Sequence, residues 1–538
     1  MKTYLLSIAL LFSVLLAGAQ TPRLVKTGTS TRLMVDGKPF LIRGGELGNS
    51  TATTMKNMEP VWDKLTVMNL NTVLVPVYWE LIEPKEGQFD FQLVGDLIHE
   101  TRKHDLKLIP LWFGSWKNSM SSHAPSWVKL DQKRFPRVKD DNGKSQEILS
   151  SFSKEVLEAD KRAFVALMSY IKSIDEKENT VILVQVENEI GMLPSARDHQ
   201  ALAEKAFHDK VPDQLIDYLR ENEERLVPEF RQIWKENGSK RRGDWEKVFG
   251  EGLHTDEIFM AWYYSKFANE VAAAGKKVYD IPMNVNAALN RPGRKPGEYP
   301  SAGPLPHVMD VWKAAGSAID FLSPDFYNPD FEHWCDLYTR QGDLLFVPEH
   351  GFDKTVAAKA LFTFGHYEGL GFSPFSIESK ENPEEEDLGK AYALVENLTP
   401  LISANAGQGR IEGVLLSKEK PETKLQMGDY ELTCKNDYTL SWTPGARLDE
   451  WPLGSVIIIQ TGENEFFVSG TGVVITFEHL KNKDLNIGLL KVDQGSFDDN
   501  GDWAVLRHLN GDQTHQGRHV SIPTGSFQTQ RVQLYTYE

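Results

Sequence analysis

Cysteine is nearly absent from this chain. Two residues, Cys335 and Cys434, among 538 cannot make a disulfide framework, and neither lies in a spacing that ligates a metal. Stability must come from a packed core, which a chain of this length can bury without covalent staples. Excess positive charge is also missing. With 59 Lys and Arg against 76 Asp and Glu, the formal net charge is −17, which argues against nucleic acid or an anionic membrane surface as a partner and suits an uncharged oligosaccharide or polysaccharide. Long apolar runs are lacking with one exception. Lys2, the run from Leu5 to Leu16 and then Ala17-Gly18-Ala19 have the three parts of a secretory signal peptide. That run is shorter than the about 20 residues that span a bilayer. Residues 1–19 are therefore read as a signal peptide, with the mature chain starting near Gln20 in the periplasm or outside the cell. No cysteine follows the small-residue site to accept a lipid, so no membrane insertion is expected, and nothing in the composition sets an oligomeric state.

What the chain does have is a repeated unit. Between Gly45 and about Ser379 a short buried strand, polar residues at its C-terminal end and a longer segment of helical period recur. The strands are Phe40–Gly45, Thr72–Val77, Leu106–Leu111, Val181–Glu187, Val278–Asn286, Ile319–Tyr327, Leu344–Glu349 and Gly371–Ile377. Eight alternating β and α units predict an α/β fold, a (β/α)8 TIM barrel over residues 20–400, with functional groups at the C-terminal ends of the strands. A charged helical insertion at about 196–274 follows the fourth strand, either as a wall or lid of the cleft or as a surface elaboration. From residue 401 to 538 short alternating strands such as Ser455–Ile459, Glu465–Val468, Gly472–Phe477 and Arg531–Leu534 predict an all-β sandwich domain. Its expected role is support of the barrel, with carbohydrate binding as the alternative. The His508, His515, His519 group is read as a polar hairpin.

Two of the barrel strands end in carboxylates. In the fourth, Gln185, Glu187 and Glu189 alternate with Val184, Val186 and Ile190, so period two predicts that the three polar side chains share the interior face. Asn284 and Asn286 repeat the pattern in the fifth strand, and Ser323, Asp325 and Tyr327 in the sixth. Gln185 and Asp325 are read as structural polar residues. Glu189 and Glu349 both end strands on the side where such barrels do chemistry, and two facing carboxylates are the minimum equipment for cleaving a glycosidic bond with retention.

The segment Gln185-Val186-Glu187-Asn188-Glu189-Ile190-Gly191 resembles the Q-V-E-N-E-Y-G motif of family 35 glycoside hydrolases, the β-galactosidases. Tyr78-Trp79-Glu80-Leu81-Ile82-Glu83-Pro84, running on to Gly87-Gln88-Phe89-Asp90-Phe91, is similar to that family's motif after strand two. The resemblance implies Glu189 as acid/base and Glu349 as nucleophile. It also implies Asn188 on the sugar's 2-hydroxyl, Tyr327 orienting the nucleophile and Tyr78 touching the sugar. Where many members have Ala-Glu-Trp after the third strand, this chain has Trp112-Phe113-Gly114-Ser115-Trp116 and no carboxylate, so Trp116 is read as an apolar platform for a sugar face. The implied activity is that of a retaining exo-β-galactosidase acting on plant oligo- or polysaccharides, with no cofactor and no metal. β-Glucosidase, β-galacturonidase or arabinosidase activity, or a catalytically inactive carbohydrate-binding barrel, stand as alternatives.

Overall fold

The computed structural model describes residues 20–482 and 484–538; the signal-peptide reading falls on residues 1–19, outside the described residues. Eight parallel strands close into a barrel: β1 (Ile42–Glu46), β2 (Thr72–Tyr78), β3 (Lys107–Lys117), β4 (Val184–Asn188), β5 (Met283–Ala288), β6 (Phe321–Phe326), β7 (Phe346–His350) and β8 (Gly371–Pro374). They run in sequence order around the barrel, with β4 paired to β5 and β8 to β1. Each is followed by a helix: α1 (Trp62–Val67), α2 (Gln92–Lys103), α3 (Lys154–Asp175), α4 (Leu253–Lys276), α5 (Met309–Ala315), α6 (Phe331–Thr339), α7 (Val356–Gly365) and α8 (Asp387–Asn405). The repeated pattern in the sequence is thus a TIM barrel.

Local chemistry sets these elements. In α3 the Ser153 hydroxyl accepts from Val156 N at 3.3 Å, capping an orphan donor of the first turn. Val156, Ala159, Ala163, Phe164, Leu167 and Ile171 follow at helical spacing and are all buried, so one stripe meets the sheet. Inside the barrel, Ile42, Leu74, Ile109, Leu111 and Phe346 pack with Leu33 and Val35. Those last two belong to a three-stranded antiparallel sheet, Arg23–Thr27, Ser30–Val35 and Lys38–Phe40, that closes the end of the barrel opposite the strand C-termini.

The predicted insertion contains helices Ala201–His208, Asp213–Glu221, Pro228–Glu236 and Trp245–Phe249 before the barrel helix α4 begins at Leu253. The C-terminal region forms two antiparallel sheets. The strands are β9 (Ile411–Leu416), β10 (Glu422–Met427), β11 (Tyr430–Asn436), β12 (Gly454–Gly462), β13 (Glu465–Thr471), β14 (Val473–His479), β15 (Asn486–Phe497), β16 (Trp503–His508), β17 (Val520–Ile522) and β18 (Gln528–Tyr537). A six-stranded sheet, β9-β12-β13-β18-β15-β16, faces a four-stranded one, β10-β11-β14-β17, over a shared apolar core. On β12, Val456 and Ile458 enter that core while Ile457 and Ile459 join the barrel's, because period two sends alternate residues to opposite faces. The barrel-side face of this sheet meets α7. All ten residues of α7 are buried; eight are apolar or glycine, and the two polar ones are satisfied, Lys359 Nζ 3.1 Å from His350 Nε2 and Thr363 Oγ1 donating to Lys359 O at 2.8 Å.

Candidate active site

At the C-terminal mouth of the barrel lies a cavity of about 590 Å³ whose lining includes Asn49, Lys117, Asn118, Glu189, Asp325, Tyr327 and Glu349. Carboxylate oxygens of Glu189, Asp325 and Glu349 lie within 4.8 Å of one another. Glu189 sits one residue past β4 with φ 45°. Its N–H donates to Asn286 Oδ1 at 2.9 Å, and the Asn286 amide donates to Asp325 Oδ2 at 2.7 Å, so β5 ties the end of β4 to β6. The chain after β3 folds over the same strand end: Asn118 N donates to Asn188 O at 3.2 Å and Ser119 N to Glu189 O at 3.0 Å. This brings the Asn118 amide onto Glu189 Oε2 and Lys117 Nζ to 3.8 Å from the same oxygen.

Glu349, on β7 beside Asp325 of β6, accepts from the Tyr327 hydroxyl and shares a hydrogen bond with Glu46 at the end of β1. Four carboxyl groups therefore meet one lysine. Burial, and then the negative charge of Glu189, push Glu349 up to about 7, against the pull of Lys117, Tyr327 and Glu46. Burial raises Glu189 as well. It raises Glu46 and Asp325 further, with Glu349 as the next cause for both. Burial and the neighbouring carboxylates thus favour the neutral forms of Glu46 and Asp325, which share hydrogen bonds with Glu349 and Glu189. A cation on Glu189, Asp325 and Glu349 would lie close to Lys117 Nζ, which is 3.8 Å from Glu189 Oε2.

The structure brings together Glu189, Glu349 and Tyr327. Asn188 is fully buried beside them, and neither polar atom of its side chain has a protein partner. Tyr78 does not line the cavity; its ring is buried and its hydroxyl donates to Asn49 O at 2.8 Å. Trp116 is no platform. It is wholly buried, with its indole N–H on Leu149 O at 3.2 Å and its ring against Tyr264 and Phe267.

The alternation read along β4 also fails at its end. Gln185 is buried, its amide donating to Glu187 O at 3.3 Å, but Glu187 takes φ 61° and its carboxylate leaves the interior. It accepts from Trp116 N at 2.8 Å and lies beside Asp160 of α3, which with burial raises its pKa well above the carboxylate range. A left-handed residue inverts the peptide that follows, and period two no longer applies. Asp325, read as structural, accepts from Asn286 and lies in the same carboxyl cluster as Glu189 and Glu349. Glu46, Lys117 and Asn118 were not singled out from sequence, although Glu46 ends its strand in a carboxylate as Glu349 does. The insertion helices contribute no lining residue; that wall comes from the loop after β5, including Leu289, Arg291 and Arg294.

Residues 32–225 match the family model described as Glycosyl hydrolases family 35. Glu46, Lys117, Asn188 and Glu189 fall within this stretch, whereas Asp325, Tyr327 and Glu349 lie beyond it. Residues 388–521 match a model described as a domain of unknown function, DUF5597, which takes in α8 and most of the sandwich. A beta-galactosidase of Xanthomonas manihotis is 27% identical over 209 residues, 36% of this chain and 32% of that relative. Beta-galactosidase 14 of Arabidopsis thaliana is 27% identical over 171 residues, 30% of this chain and 18% of that one. The chain thus spans a third or less of the length of these curated relatives. Among solved structures, beta-galactosidase from Bacillus circulans sp. alkalophilus is 14% identical with a TM-score of 0.47, covering 67% of this chain and 57% of that one. Beta-galactosidase from Marinomonas ef1 is 12% identical with a TM-score of 0.44, covering 67% and 60%. Among the described residues no helix is long and apolar enough to cross a membrane.

Proposed function

We propose that the protein is a retaining β-galactosidase that removes terminal β-galactosyl residues from plant-derived oligo- or polysaccharides after export to the periplasm or medium. The observation that carries the chemistry is the separation of the carboxylates. An oxygen of Glu189 lies within 4.8 Å of one of Glu349, which supports the close carboxyl pair, about 5–5.5 Å apart, in which one carboxylate attacks directly, over the wider pair that leaves room for a water. Glu349, ionised, attacks the anomeric carbon while protonated Glu189 gives its proton to the departing oxygen. Glu189 then takes a proton from the water that releases the sugar. Tyr327 holds the attacking oxygen, and Asp325, pushed up by burial and by the neighbouring carboxylates, shares a hydrogen bond with Glu189. Asn188 does not line the cavity, but its buried amide has no protein partner, which supports a contact with a sugar hydroxyl if the site opens toward it.

Azide trapping tests the assignment. Glu189→Ala should accumulate glycosyl-enzyme on dinitrophenyl galactoside and yield the β-galactosyl azide. Glu349→Ala should yield the α-azide, because the anion enters the space the nucleophile leaves. The same anomer from both variants would overturn the roles. Glu349→Gln should lose about 10³-fold in kcat or more, the scale of removing a nucleophile.

A second reading is favoured by one feature. Lys117, Arg291 and Arg294 all line the cavity, and neither arginine has an ion-pair partner among the described residues. A β-galacturonide would give them a carboxylate. Comparing nitrophenyl β-galactoside with β-galacturonide separates the two readings.

A further inference from the structure

The sandwich domain carries a second concavity, of about 530 Å³, whose lining includes Tyr438, Trp442, Asp512, His515, Gln528 and Gln530. Trp442 is 64% exposed, far more than a large apolar ring gains by being there. One face stacks on His515 at 5.6 Å and 25°, and His515 stacks on His519 at 5.4 Å and 13°. The three rings form a column with an indole at its outer end.

The polar part of the concavity is unfinished. Gln528 and Gln530 are 6% and 1% exposed. Each amide nitrogen has a partner, Ser526 Oγ at 3.0 Å and Ser521 O at 2.8 Å. Each amide oxygen is buried with none. A buried acceptor left unpaired is destabilising, and both glutamines line this one concavity. The ligand they call for brings hydroxyl donors, and the indole calls for a flat apolar face. A hexose has both, with C–H groups on one face of the ring and hydroxyls around its edge. The chain's net charge of −17 disfavours a nucleic acid on the same column.

Position supports a link to catalysis. Glu450, in the loop that carries Trp442, pairs with Lys354 at 3.0 Å, and Lys354 lies in the loop after β7, the strand of Glu349. The Trp442 loop therefore reaches the barrel face on which the catalytic cavity opens.

We propose that this concavity is a second saccharide-binding site, which holds a neutral polysaccharide chain while the barrel trims it. The inference rests on the glycosidase reading for its biological sense, but binding is measured without turnover. Full-length Glu349→Gln protein would be run in native gels containing pectic galactan, xyloglucan or no polysaccharide, beside the double variant that adds Trp442→Ala. Retardation by a polysaccharide is expected, weakened about tenfold or more without Trp442, as for truncation of an aromatic anchor. In the otherwise native enzyme, Trp442→Ala should leave kcat/KM on nitrophenyl galactoside unchanged and slow release of galactose from polymer. Equal retardation with and without Trp442, or none with either polysaccharide, would overturn the site. Trp442-dependent retardation by a protein that turns over no glycoside would instead leave the site standing and refute the catalytic reading.

Discussion

Tyr327 is more than half exposed, yet its hydroxyl donates to the buried Glu349. That bond favours the ionised nucleophile, since the donor stabilises charge that burial opposes. Burial and the neighbouring Glu349 raise the phenol itself, so it remains a donor through the working pH range. Activity should fall as pH drops through about 7, the value to which Glu349 is pushed, because a protonated carboxyl cannot attack. Removing the donor raises the nucleophile further, and Tyr327→Phe should shift the acid limb of kcat/KM to higher pH. An unmoved limb would show that Tyr327 does not set the charge of Glu349. Gly114 matters for a different reason. A Cβ there would stand 2.2 Å from Trp112 Nε1 and 2.8 Å from both Asp160 Oδ2 and Glu187 Oε1. The position is filled by the Glu187–Asp160 pair, so Gly114→Ala should force that pair apart and displace the Lys117-Asn118 segment. Loss of activity and a lowered Tm are both expected; a variant as active and as stable as the parent would contradict this packing.

At the scale of elements, the barrel and the sandwich meet where α7 lies on β9 and β12. Burying Ile457 and Ile459 there contributes about 1.5–3 kcal/mol each. The close approach is made possible by two glycines. A Cβ on Gly413 would sit 2.4 Å from His366 N and one on Gly365 2.8 Å from Gly413 Cα, both against backbone that cannot swing aside. Gly413→Ala should destabilise by about 1–3 kcal/mol, the usual range for overpacking. Thermal unfolding would read it, with nitrophenyl galactoside turnover at low temperature largely kept because the cavity is on the other end of β7. An unchanged Tm would mean that α7 and β9 can separate without cost.

For the molecule as a whole, the carboxyl cluster trades stability for function. Glu349 moves from its ordinary 4.5 in the unfolded chain to about 7 when buried. Below about pH 4.5 both states hold the proton. Between 4.5 and 7 the folded state keeps a proton the unfolded chain has lost, so stability falls as pH rises through this window. Glu349→Gln carries no charge to bury and should have the higher Tm at pH 8, with the gap closing by pH 4. A wild-type protein as stable as the variant at pH 8 would show that the cluster relaxes around the charge.

Eight strands, their helices and the sandwich were legible along the chain because hydrophobic period and turn residues are local properties, and each strand reports its own burial. Glu189 and Glu349 were legible because they end strands, and a barrel puts strand C-termini together whatever the sequence between them. What lay beyond local pattern was decided only in three dimensions. The left-handed turn at Glu187 sent its carboxylate toward Asp160, and no period-two reading could register one inverted peptide. Trp116 and Tyr78 became core because neighbours distant in sequence, Phe267 for one and Asn49 for the other, closed over them. Glu46, Lys117 and Asp325 joined the site from three different strands, which only barrel closure makes neighbours, and the pKa of Glu349 belongs to that assembly. Composition and order determined the barrel and the two carboxylates at its strand ends; the charge and contacts that surround them exist only once the chain has closed.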